Sequence, residues 1–329
     1  MRAQVGGSHI YSFLTIPASA RTAALGGTFI SVKDQDPNCA LQNPSLLNAS
    51  MSNKLLFNGV LYFDGVTFGD AAYVKDFAKA GTFMANMHYA DYGSFLASDI
   101  TGQIQGTFHA ADYNFNVGWG MQLNPYFSIG AALKTIYSDL YLYNSFGLAT
   151  DVAATYYDST AKFTLAIVGR NMGIQVKKYV EGQNEPLPAE VDVAVSKKLS
   201  HTPIRFNLTW RHLEQFDLTY VDSYDATEVD PLTGETTVTS YSFFNKVSRH
   251  LIIAAEILFS QNFHFRAGYN FQRRQELALT TAPGTAGLCW GFGLKISKFI
   301  IGYSRAAYHM EGSADHFSIS TNLSDFGAK

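Results

Sequence analysis

Residues 112–123, DYNFNVGWGMQL, alternate apolar and small or polar side chains without a slip. Tyr113, Phe115, Val117, Trp119, Met121 and Leu123 fall on one side. Asp112, Asn114, Asn116, Gly118, Gly120 and Gln122 fall on the other. Strand side chains change face at every residue, so this stretch predicts a strand with one apolar and one polar face. It is about twice the length of a strand in a soluble sheet. The same alternation returns at 191–196, 204–211, 263–271 and 288–296, where Leu288, Trp290, Phe292, Leu294 and Ile296 oppose Cys289, Gly291, Gly293 and Lys295.

Carried along the chain, the pattern predicts fourteen strands: 54–63, 66–75, 80–90, 111–123, 127–138, 145–157, 163–172, 189–199, 204–214, 249–260, 263–273, 286–296, 299–308 and 316–323. The Ala, Glu and Leu of 249–260 also suit a helix, but the short turn into 263–273 favours a strand. Most of the strands run to about ten residues, the length a tilted strand needs to cross a bilayer. The connections alternate between short (76–79, 124–126, 158–162, 200–203, 261–262, 297–298) and long (91–110, 139–144, 173–188, 215–248, 274–285, 309–315). Asp64-Gly65 breaks the alternation as a tight hairpin on the long-loop side. Outer-membrane barrels have short periplasmic turns and long outer loops, and an even strand count then places both chain ends in the periplasm. The expected fold is therefore all-β: a fourteen-stranded antiparallel transmembrane barrel spanning 54–329, its apolar faces on lipid and its edges removed by closure.

Composition agrees. Aromatic residues make up 14% of the 329-residue chain and charged residues only 16%, against roughly 25% charged in soluble proteins. No apolar run is long enough for a membrane-spanning helix. The net charge of −3, without a basic run, argues against a nucleic-acid partner. The opening MRAQVGG lacks the apolar core of a signal peptide, so the numbering reads as starting near a mature end, with Ala3-Gln4 left from a cleavage region. Cys39 and Cys289 are too few for a disulfide framework and read as two buried thiols. The polar faces should carry Lys134, Asp151, Arg170, Asp192, Arg205, Arg211, Glu256, Arg266 and Lys295 into the lumen. Their mixed signs predict paired charges filling the interior rather than an ion path.

Residues 1–53 depart from the barrel pattern. Pro17, Gly26-Gly27, Pro37 and Asn43-Pro44 punctuate an apolar, turn-rich segment with one helical turn near 18–24 and one short strand at 28–32. Such a segment before a barrel wall predicts a hatch folded into the lumen, held by Gly26, Gly27, Asn43 and Pro44. Its motif, SFL-x-x-P-x-x-AR-x-x-ALGG, then a D-rich loop and NP-x-LL over residues 12–47, resembles the N-terminus of the PorV/PorQ family of the Bacteroidetes type IX secretion system, nearer to PorQ. That family is counted among the FadL-like fourteen-stranded barrels with an N-terminal hatch. The resemblance implies a non-enzymatic outer-membrane part of the attachment machinery. It would anchor a PorZ-like surface protein beside PorU and PorV, where cargo is joined to lipopolysaccharide. The rival readings are a FadL-like transporter of hydrophobic small molecules and a PorV-like cargo shuttle.

Catalytic motifs are missing from the sequence: no G-x-S-x-G, H-E-x-x-H, Walker loop or CxxC occurs, and the nine histidines are scattered. The sequence therefore implies no cofactor. His309, Met310, Glu311, Asp315 and His316 gather near one outer hairpin and could ligate a metal, but a solvated tip is the simpler account. The 215–248 loop interleaves acidic residues with aromatics. Tyr220, Tyr224, Tyr241 and Phe243 are its candidate anchors for a surface partner, helped by 173–188.

Overall fold

The computed structural model describes residues 9–182, 185–219, 227–229, 236–238, 241–277, 284–308 and 312–327. Fourteen antiparallel strands close into a barrel. The first half of the wall is β1 (Lys54–Leu61), β2 (Thr67–Asp76), β3 (Thr82–Ser98), β4 (Ile104–Gln122), β5 (Phe127–Leu140), β6 (Tyr143–Asp158) and β7 (Phe163–Lys177). It continues through β8 (Glu190–Lys198) and β9 (Ile204–Trp210). A separate two-stranded ribbon, β10 (Thr227–Val229) and β11 (Thr236–Val238), interrupts the wall in the chain but not in space. β9 then pairs directly with β12 (Leu251–Ile257), followed by β13 (Phe263–Asn270), β14 (Leu288–Ile296), β15 (Phe299–Ala307) and β16 (Ser313–Asn322). Closure is made by β1 against β16, in register from Lys54↔Asn322 to Leu61↔Asp315.

The two faces sort as the alternation requires. Phe115, Val117, Leu133, Ile167, Ile253, Trp290 and Phe317 are exposed on the outer wall. Asn114, Asn116, Lys134, Asp192, Asn207 and Glu256 are buried inside. An outer surface this apolar is stable only against hydrocarbon.

The wall is taller on one side, where the long loops were expected. β3 to β7 have 14–19 residues each, whereas the other barrel strands have 7–10. The loop expected over 91–110 is mostly strand, with only 99–103 left as a turn. A bulge between Asp91 and Ser94, with Gly93 at φ 82°, shifts the register there and breaks the alternation that would have revealed the extension. Likewise β7 runs on to Lys177 past Asn171 (φ 53°), where a second register shift occurs against β6. Asp64-Gly65 is the tip of a five-residue connection rather than a two-residue hairpin, since Leu61 pairs with Thr67. The stretch 271–277, expected partly as strand, is helix α3 (Phe271–Leu277); α2 (Phe243–Ser248) lies just before β12.

Residues 9–53 run through the lumen. His9 and Ile10 lie at the long-loop end, where the Ile10 N–H donates to the Pro186 carbonyl at 3.1 Å. The N-terminus expected in the periplasm, residues 1–8, lies outside the described residues. The apolar Ile10, Tyr11 and Phe13 are drawn to the long-loop end by a cluster with Val60, Phe68 and Tyr308. The segment then descends through α1 (Ala20–Ala24), capped by the Ser19 hydroxyl, to Asn53 at the short-turn end. The strand expected at 28–32 does not form. Its polar groups bond the wall instead, with Ser196 Oγ donating to the Ser31 carbonyl and Asn207 Nδ2 to Ser31 Oγ.

Lumen-facing glycines make this approach feasible. A Cβ at Gly130 would lie 2.4 Å from the Pro44 carbonyl carbon, and one at Gly268 would lie 2.6 Å from that of Leu25. We expect Gly130→Ala to destabilise the protein by about 1–3 kcal/mol through overpacking against fixed backbone. Gly69→Ala, with open space around it, should be silent. Thermal unfolding and the rate of proteolysis within 9–53 compare the two. Val117→Arg on the outer wall should cost roughly 2–4 kcal/mol if the site is near the bilayer midplane, read from denaturant unfolding in liposomes.

Candidate functional site: the occupied lumen and its outer vestibule

The lumenal segment is held by one ionic cluster. Arg21, on α1, sends Nε to Glu256 Oε1 at 3.0 Å and a second nitrogen to Oε2 at 3.1 Å. Arg205 and Arg266 reach the same carboxylate from the neighbouring strands at 2.7 and 2.9 Å. Asp34 and Asp36 complete the balance, each on Arg21, at 2.8 and 3.1 Å. Three guanidinium groups thus meet three carboxylates. A buried charge of this kind tolerates removal of a partner poorly. Two further clusters brace the wall: Arg170 with Glu190 and Asp192, and Arg211 with Glu190; and Lys134 with Asp151 and Asn171. The expectation of paired lumen charges holds for these residues, while Lys295 is exposed near the short-turn end.

Gly26, Asn43 and Pro44 touch the wall, and Gly27 lies against Arg273 of α3. Gly26 (φ 93°) and Gly27 (φ 99°) turn the chain after α1. A Cβ at either would collide, with Ile252 at 2.3 Å and with Arg273 at 2.4 Å. Asn43 Nδ2 donates to the Ile30 carbonyl at 2.6 Å and to Thr155 Oγ1 at 3.2 Å, while its own Oδ1 accepts from Ser45 N. Pro44 packs over Gly120 and Gly130. Cys39 and Cys289 are both buried and unbridged.

Above the segment, at the long-loop end, are two cavities. One, of about 430 Å³, is a cup between the tall β3–β5 wall and residues 10–12, walled by Tyr11, Tyr92, Phe95 and Tyr179 with Val66 and Leu140. The tyrosine hydroxyls are turned away into the wall. Tyr92 donates to Asp112 at 2.7 Å, and Tyr11 and Tyr179 bond to Ser145 and Ser138. Ring faces and aliphatic carbons make up most of what remains for an occupant, with Ser12 and the Asp112 carboxylate as the polar part of the lining. Phe95, Phe108 and Tyr141 continue the aromatic row up the extension, with centroids 5.3 and 4.5 Å apart. The second cavity, about 460 Å³, is charged and lies between residues 9–16, α3 and the ends of β8 and β9. The cup was invisible to the alternation, because its lining comes from a re-phased strand, a loop and the lumenal segment.

Of the candidate anchors, Tyr220 and Tyr224 lie outside the described residues. Tyr241 stacks under Arg249 at 5.0 Å, and Phe243 is exposed on α2 beside Phe216. Phe244, next in α2, is exposed too, and exposed Phe216 was not singled out from sequence. The Lys246 ammonium beside Asp217 holds that carboxyl down, to about 2. His309, Met310 and Glu311 lie outside the described residues, and Asp315 and His316 diverge. Asp315 accepts from Tyr303 OH at 2.8 Å, while His316 is buried inward against Tyr308.

No protein-family model matches the chain, and no curated protein matches it by sequence. Among solved structures it is similar to the toluene transporter TbuX of Ralstonia pickettii, with 11% identity, a TM-score of 0.55 and coverage of 94% of this chain and 99% of that one. It is similar also to the toluene transporter TodX of Pseudomonas putida (12%, 0.51, 93% and 98%) and to the CymD monoaromatic hydrocarbon channel (13%, 0.51, 93% and 96%). These likenesses carry the fold alone: a closed fourteen-stranded antiparallel barrel.

Glu256→Gln should loosen the lumenal segment, because Arg21, Arg205 and Arg266 would then face each other with one full charge removed. In planar bilayers we expect intermittent openings absent from the unaltered protein. Equal, steady conductance in both would mean that the cluster does not hold the segment.

Proposed function

We propose that the protein captures small hydrophobic molecules at the outer surface and admits them past the lumenal segment. The cup carries this reading. Its volume is in the range of small-molecule sites, it is lined mainly by aromatic and aliphatic groups beside Ser12 and Asp112, and its tyrosine hydroxyls are already satisfied. The fold likeness to hydrocarbon transporters supports it. An uncharged apolar solute loses nothing polar on entering such a site and removes ring surface from water. Long-loop and short-turn ends are taken as outer and periplasmic, as in bacterial barrels generally. Titration of purified protein with toluene, followed by tyrosine fluorescence, should saturate. Ala110→Trp, which fills the cup, should weaken binding at least about tenfold, roughly 1.4 kcal/mol. If toluene and longer alkyl chains alike leave the fluorescence unchanged, the proposal fails.

A second reading is favoured by the exposed patch of Phe216, Phe243 and Phe244 at the outer end. With the motif over 12–47, it supports a non-enzymatic anchor of the type IX attachment machinery. The patch would hold a PorZ-like surface protein beside PorU and PorV, in a membrane bearing lipopolysaccharide. Aromatic residues dominate the hot spots of such interfaces. Replacing 220–244 with a short Gly-Ser link should leave the barrel folded and release a large soluble partner from mild-detergent pull-downs. Retention of that partner at full yield would rule out this loop as its seat.

A further inference from the structure

At the short-turn end, a cavity of about 280 Å³ opens between the lumenal segment and the lower ends of β6 to β9. Lys33, Lys162, Lys198 and Arg205 line it, with Tyr157 and Val32. Arg205 is committed to Glu256 at 2.7 Å. The three lysines are different. Among the described residues none of them has a carboxylate within 4.0 Å, and the one aromatic contact is Lys33 over the Tyr157 ring at 5.9 Å. The nearby Asp158 accepts the turn N–H groups of Thr160 and Ala161 on its Oδ1 and makes no ion pair with these lysines.

The contrast with the middle of the lumen is informative. There, Lys134, Arg170, Arg205, Arg211 and Arg266 each meet a carboxylate at 2.5–2.9 Å. Those five are paired, whereas Lys33 and Lys198, partly buried, and Lys162, exposed, line one cavity without a carboxylate partner among the described residues. Gathering like charges is unfavourable unless something anionic offsets it. Ser159 and Thr164 also line the space and add hydroxyl donors.

We propose that this cavity binds a phosphate group, held by Lys33, Lys162 and Lys198. Three ammonium donors with hydroxyls suit an oxyanion that accepts several charge-assisted hydrogen bonds. The volume leaves room for the small organic part of a phosphate ester. An apolar solute gains nothing from these lysines, so the site is distinct from the outer cup in place and in chemistry. Because Lys33 belongs to the lumenal segment, Lys162 to the β6–β7 turn and Lys198 to β8, an occupant would tie the segment to the barrel at its lower end.

The test uses the full chain in a phosphate-free maltoside detergent, titrated calorimetrically with glycerol 3-phosphate and, separately, with phosphatidylglycerol in mixed micelles. Saturable binding of the first identifies a soluble ester as the source of the phosphate, and binding of the second alone identifies a lipid headgroup. Lys33→Gln and Lys198→Gln should each weaken binding roughly tenfold, and added salt should weaken it further. Lys162 is in an exposed turn, so Lys162→Glu should abolish binding without disturbing the barrel. Absence of saturable binding to either probe, or binding indifferent to all three substitutions, overturns the proposal. So does binding confined to an acidic peptide.

Discussion

Hydrocarbon offers no hydrogen bonds, and the rest of the structure follows from that constraint. Every backbone N–H and C=O in the wall must find its partner in a neighbouring strand, and the sheet must close because a free edge cannot face lipid. Here the closing pair, β1 with β16, is as regular as any other. The same constraint sends the polar half of each strand inward. A closed wall then encloses charges that need partners, and the lumenal segment supplies several of them, Arg21 above all. Wall and segment are in this sense one solution to one solvation problem.

That solution also shapes where solutes can bind. The middle of the lumen is taken up by ion pairs and by backbone packed on glycine, which leaves space mainly at the two ends. The upper end owes its cup to the tall β3–β5 wall, which stands above the segment and turns aromatic faces inward. The lower end has lysines and hydroxyls. An apolar site above and a basic one below are separated by the charge cluster on Glu256, so any movement of the segment must first deal with those pairs.

Much of this was legible in the chain. Strict alternation at 112–123, 263–271 and 288–296 assigned both faces of those strands, apart from Phe271, which begins α3, because the period of two is local and lipid enforces it on every residue. The number of strands followed from the same signal; the expected alternation of turn lengths did not survive over β3–β6, where the long loops expected at 91–110 and 139–144 shrink to 99–103 and 141–142. Asn43-Pro44 and Gly26-Gly27 stood out as turn residues, and the structure sets Asn43, Pro44 and Gly26 against the wall and Gly27 against α3. The local signal failed where strands slip phase. Gly93 and Asn171 each introduce a register shift, and beyond them a tall strand resembles a loop.

What the sequence by itself determined is therefore the barrel: its face pattern, its strand count and a non-strand segment preceding it. Tertiary structure decided which charges meet and where space remains. Arg21 and Glu256 are 235 positions apart, and no spacing rule links them. Gly130 reads as one more small lumen residue until Pro44 is laid across it. The cup joins a re-phased strand to residues 10–12, and the lower cavity joins Lys33 to Lys162 and Lys198. Alternation records only which side of the wall a residue faces. Its partners across the lumen are set by closure of the barrel and the path of the chain within it.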